Sequence, residues 1–76
     1  MTDSLLLEIA IVKAKLRKKD IAEALGLTPM GLYKKINNVT EFKASEISAL
    51  SALLRIGKEE RDSIFFKIDV ELKSTN

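Results

Sequence analysis

The stretch Lys18-Lys-Asp-Ile-Ala-Glu-Ala-Leu-Gly-Leu-Thr-Pro-Met-Gly-Leu-Tyr-Lys-Lys-Ile-Asn37 decides the fold of this chain. It divides at Gly26. Before it, Ile21, Ala22 and Leu25 recur at helical spacing, which predicts a helix over about residues 18–25 with those three facing inward. Gly26 adopts the left-handed backbone that ends a helix without a side-chain clash. Thr28-Pro29 then restarts one: threonine accepts a hydrogen bond from a free first-turn amide, and proline is tolerated at the first helical position. The next helix covers about residues 29–36, with Leu32 and Ile36 inward. Ala22 is small enough for two helices to cross closely, and Leu27 plugs the core from the turn.

Outward from this unit the pattern stays helical. Leu5, Leu6, Ile9, Val12, Lys13 and Leu16 fall at helical spacing and predict a first helix over about residues 3–15 that buries this face, capped by Thr2, Asp3 or Ser4. Asn37-Asn38-Val39-Thr40 reads as a loop, and Phe42 returns it to the core. A fourth helix is expected at about residues 44–54, with Ile47, Leu50, Leu53 and Leu54 inward and Gly57 marking its end. A fifth begins near Lys58 and runs to about Lys67, with Ile64, Phe65 and Ile68 inward. Ile68-Asp69-Val70-Glu71-Leu72 alternates like a strand, while Ile64, Phe65, Ile68 and Leu72 also suit a helix; the favoured reading is an extended tail from about residue 68. The expectation is an all-α, compact five-helix fold in a single domain over residues 1–76.

Composition agrees with that class and removes others. Hydrophobic residues make up 46% of the 76, only four are aromatic, and Gly and Pro are scarce, which favours helices over a sandwich or barrel. With no Cys and no His, disulfides, zinc fingers, thiol nucleophiles and imidazole bases are all excluded. No cofactor or metal is expected. No apolar run is long enough to cross a bilayer, and no basic-then-apolar start suggests a signal peptide. A cytoplasmic location with no membrane contact follows as the expectation, and the sequon Asn38-Val39-Thr40 is read as chance. The acidic residues are dispersed and no glycine-rich phosphate loop exists, so an enzyme is not expected.

Charge is distributed unevenly. Residues 13–43 carry eight Lys/Arg against three Asp/Glu, and residues 44–76 carry five against six. A one-sided basic field attracts polyanions. Lys13, Lys15, Arg17, Lys18 and Lys19 crowd into seven positions, with Lys35 and Lys43 on the far side. Lys15, Arg17, Lys19, Lys35 and Lys43 are the candidate phosphate contacts. The outward positions of the third helix are Thr28, Pro29, Met30, Gly31, Tyr33 and Lys34. If that helix enters a major groove N-terminus first, Thr28 and Tyr33 offer hydroxyls, Pro29 and Met30 offer thymine-methyl contacts, Gly31 allows close approach, and Lys34 reaches guanine or phosphate. Lys18 joins them as a candidate DNA- or partner-binding residue. The Pro29-Met30-Gly31 tip is poor in hydrogen-bonding groups, and methionine suits adaptable protein contacts.

Ile21-Ala22-Glu23-Ala24-Leu25-Gly26-Leu27-Thr28 resembles the helix-turn-helix core of the lambda-repressor-like (Cro/C1-type) family. Leu32-Tyr33-Lys34-Lys35-Ile36-Asn37-Asn38 and Glu41-Phe42-Lys43-Ala44-Ser45-Glu46-Ile47 resemble small temperate-phage proteins of that family, among them Cro-like regulators and the antirepressor called modulator of repression. The resemblance spans about residues 4–66. It implies a five-helix lambda-repressor-like domain whose helix-turn-helix lies at residues 18–37. It also implies a transcriptional regulator of the lytic/lysogenic switch in a bacterial host cell, with double-stranded operator DNA as partner. Lys18, Thr28, Pro29, Met30, Tyr33 and Lys34 would occupy the DNA-facing positions. The alternative it implies is an antirepressor that binds a phage repressor protein. Apart from the resemblance, the Ile68-Val70-Leu72 edge is read as either pairing two chains into a homodimer or packing on its own body.

Overall fold

Three of the five helices end in the same way, and this repetition sets the architecture. A computed structural model describes residues 1–67. In it α1 spans Ser4–Ala14, α2 Lys18–Leu25, α3 Pro29–Ile36, α4 Ala44–Leu54 and α5 Lys58–Phe65, with no strand among the described residues. At the ends of α1, α2 and α4 one residue turns left-handed: Lys15 (φ 58°), Gly26 (φ 72°) and Arg55 (φ 58°). The next amide then bonds back across the last turn: Leu16 to Ile11, Leu27 to Ala22 and Ile56 to Ser51. This satisfies carbonyls that the helix leaves orphaned, and it drops an aliphatic side chain onto the core. Leu16, Leu27 and Ile56 all pack there, partly buried.

The core draws on every helix. Leu7 from α1, Ile21 from α2, Leu32 and Ile36 from α3, Leu50 from α4 and Ile64 from α5 are the largest fully buried side chains. α2 packs on α3 and α4, and α1 packs on α4 and α5. Phe42 closes the loop after α3 by meeting Phe65 edge to face, with centroids 5.4 Å apart. Asp3 caps α1 by accepting the Leu6 amide, and Thr28 caps α3 by accepting the Gly31 amide at 3.0 Å.

The structure corrects the sequence reading at several points. The largest concerns α1. Its buried residues are Leu7, Ala10 and Ile11, while Leu5, Leu6, Ile9 and Val12 are exposed. The helix is apolar nearly all round, so periodicity could not select its inner face. In α4, Ser51 is buried while Leu53 stays 37% exposed. Gly57 does not end α4; Arg55 does, and Gly57 instead precedes α5 as its N-cap in an extended conformation. α5 stops at Phe65, and the expected tail from residue 68, including the inward placement of Ile68, lies outside the described residues. No helix among the described residues is long and apolar enough to cross a membrane.

Ala22 is 1% exposed, with α3 and α4 both packed on its helix. Its replacement by Leu overfills a closed contact. The expected cost is about 1–3 kcal/mol in chemical denaturation, with α2 and α3 pushed apart.

Candidate recognition surface on α3

Three contacts at the C-terminal end of α3, with the Thr28 cap at its start, fix where α3 stands. Asn38, in the left-handed region (φ 64°), is doubly bonded to the N-terminal segment. Its Nδ2 donates to the Thr2 carbonyl and its Oδ1 accepts the Thr2 amide, both at 2.9 Å. The Ser4 hydroxyl donates to the Ile36 carbonyl. The third contact is an ion pair, Lys35 Nζ to Glu46 Oε1 at 3.0 Å, with both side chains only about a tenth exposed. Lys35 also donates to the Glu41 carbonyl, and Glu46 accepts the Lys43 amide at 2.8 Å, so one carboxylate joins α3 to the start of α4.

This arrangement removes Lys35 from the phosphate-contacting set. Its ammonium is spent inside the fold, at 12% side-chain exposure. Burial raises the Glu46 pKa, but the Lys43 amide and the Lys35 ammonium outweigh it and leave the carboxyl below its ordinary value.

The outer side of α3 stands clear of the body. Thr28, Pro29 and Lys34 are exposed, as are Met30 (60%) and Tyr33 (61%). Gly31 is less open: its amide caps back to Thr28, and a side chain there would meet the Thr28 hydroxyl at 3.2 Å. Lys18 and Lys19 at the start of α2, with Pro29 and Tyr33 of α3, line one groove of about 200 Å³. Lys18 is held by Glu8 of α1 at 2.8 Å, yet its side chain remains 53% exposed. Arg17 pairs with Asp20 at 3.0 Å on the surface. Lys15, Lys19, Lys34 and Lys43 are exposed and make no ion pair among the described residues. The surface therefore combines an apolar tip, two hydroxyls and a basic surround.

Glu8, Ser4, Asn38 and Glu46 position this surface and escaped the sequence reading. Only Asn38 carried a local signal, because asparagine tolerates the left-handed conformation. The other three act through partners 10 to 32 positions away in sequence, or across a helix boundary. No family model, curated protein or solved structure matches the chain.

Glu46→Gln leaves the largely buried Lys35 ammonium without its counter-charge and is expected to cost about 1–3 kcal/mol at neutral pH. A carboxyl held below its ordinary pKa stabilises the fold above the unfolded value, and that contribution is lost as pH falls through the folded value. In thermal melts the wild type should therefore exceed Glu46→Gln at pH 7, and the gap should close once the medium is acid enough to protonate Glu46.

Proposed function

We propose that the chain is a DNA-binding transcriptional regulator of the lambda-repressor-like, Cro-like kind, acting in a phage lytic/lysogenic switch. In this reading residues 18–37 are the helix-turn-helix, and α3 enters the major groove of operator DNA N-terminus first. The observation that carries the reading is α3 itself. It is anchored at its C-terminal end, bare along its outer side, and flanked by Lys18 and Lys19. A fixed helix is what base readout needs, because a loose one loses its register on the bases.

Thr28, Tyr33 and Lys34 supply polar contacts to bases or phosphate, and Pro29 and Met30 supply apolar contact to thymine methyls. Lys15, Arg17, Lys19 and Lys43 neutralise phosphates. Each such contact adds about 0.9 to the slope of log affinity against log salt, so four give a loss on the order of a hundredfold between 50 and 200 mM. Mobility shifts on phage-derived duplexes should show that slope. Lys19→Ala or Lys43→Ala should lower it by about 0.9 while weakening all sequences alike. The absence of any shift at low salt would sink the reading.

A second reading rests on the apolar tip. Pro29, Met30 and Tyr33 are exposed together on one short helix, which fits an antirepressor that seats α3 on a phage repressor and blocks its DNA binding. Co-elution with a phage repressor protein tests it. Met30→Lys should abolish co-elution there while leaving the fold intact by circular dichroism. Failure of the wild type to co-elute, together with sequence-specific duplex binding, removes this reading.

A further inference from the structure

α1 is apolar over more of its circumference than its own domain covers. Leu7, Ala10 and Ile11 are buried, yet Leu5 (70%), Ile9 (42%), Val12 (72%) and Leu6 (39%) face outward. At about 100° per residue these four cover an arc of roughly 120°, on the side opposite the core. No charged residue interrupts the line from Leu5 through Ile9 to Val12. A helix apolar all round is normally covered on all sides, and contiguous exposed apolar patches mark interaction sites.

The charges around the arc select the occupant. Lys13 stands at the C-terminal end of α1 and Asp3 at its N-terminal start. On the flanking α5, Glu59 and Glu60 lie at the Lys13 end, in the groove lined with Leu6 and Ile9. Lys67 lies at the Asp3 end, 3.7 Å from that carboxylate. Asp3 is already bonded to Lys67 and to the Leu6 amide, with its side chain 20% exposed, so the outward charge at that end is that of Lys67. Two copies laid antiparallel, α1 on α1, therefore set Glu59 and Glu60 of each toward Lys67 of the other. A parallel arrangement sets like against like. Antiparallel pairing opposes the two helix dipoles as well, and a two-fold axis uses the same patch on both chains.

We propose that the exposed face of α1 is a homodimer interface, occupied by α1 of a second copy in antiparallel orientation. Its test needs neither DNA nor a repressor.

The full chain is first weighed by light scattering over a wide concentration range. The expected mass is twice 8.5 kDa, falling to the single-chain value in Val12→Glu with the circular dichroism spectrum unchanged. Because the chain has no cysteine, disulfide trapping reads the orientation directly. Ile9→Cys, near the two-fold axis, should form a covalent dimer on oxidation. Leu5→Cys mixed with Val12→Cys should crosslink to each other and not each to itself. The trapping variants also decide the matter if Val12→Glu misfolds. A monomer at every concentration, a dimer indifferent to Val12→Glu, or self-crosslinking of Leu5→Cys overturns the proposal. So does a chain that dimerises only when residues 68–76 are deleted, since that segment would then be the occupant.

Discussion

With 76 residues there is surface for one small core, and each helix must give that core its largest aliphatic side chain. Leu7, Ile21, Leu32, Ile36, Leu50 and Ile64 meet this demand, and the rest of the architecture follows from it. Short connections are obligatory, because a long loop would cost ordering entropy that so small a core cannot offset. Hence α1, α2 and α4 each stop on a left-handed residue and return an aliphatic residue to the interior at once. Two of those residues, Lys15 and Arg55, are not glycine. They hold a conformation that L-residues visit at some cost, and Leu16 and Ile56 repay it by packing.

The same constraint explains what was legible in the sequence. Gly26 and Thr28-Pro29 act through neighbours on the chain, so the bounds of α2 and α3 could be read directly, and α4 likewise from its spacing. What failed was choice of face and choice of partner. In α1 seven of the first nine positions are Leu, Ile, Ala or Val, other than Ser4 and Glu8, and no polar stripe marks the solvent side. Lys35 looked like one more surface cation, because the carboxylate that captures it is eleven positions away across the loop. The clamp between Asn38 and Thr2 spans thirty-six positions. Such choices are made by tertiary packing, which leaves no local periodicity to read.

Capture of Lys35 has a consequence for the α3 surface. A cation withdrawn into a bonded pair stiffens the helix that carries it and subtracts from the outward field. Lys15, Lys19, Lys34 and Lys43 are left as exposed cations without an ion pair among the described residues. α3 is thereby divided: its C-terminal end is bonded into the body, and the outer side of its first turns is left exposed.

The charge of that surround also ranks the two functional readings. A repressor's DNA-reading face is itself basic, since it must neutralise phosphates. Bringing α3 against such a face would set Lys19 and Lys34 beside like charges, and like-charge juxtaposition at an interface costs several kcal/mol. Pro29, Met30 and Tyr33 would have to offset that repulsion by apolar burial alone, over little more than two turns of helix. Against a duplex the same cations are attractive and the apolar tip needs only to meet thymine methyls or sugar. An antirepressor built on this helix would therefore have to dock off-centre, with Met30 in a pocket and the lysines directed toward acidic residues of its partner. The DNA reading needs no such arrangement, and for that reason it stands first.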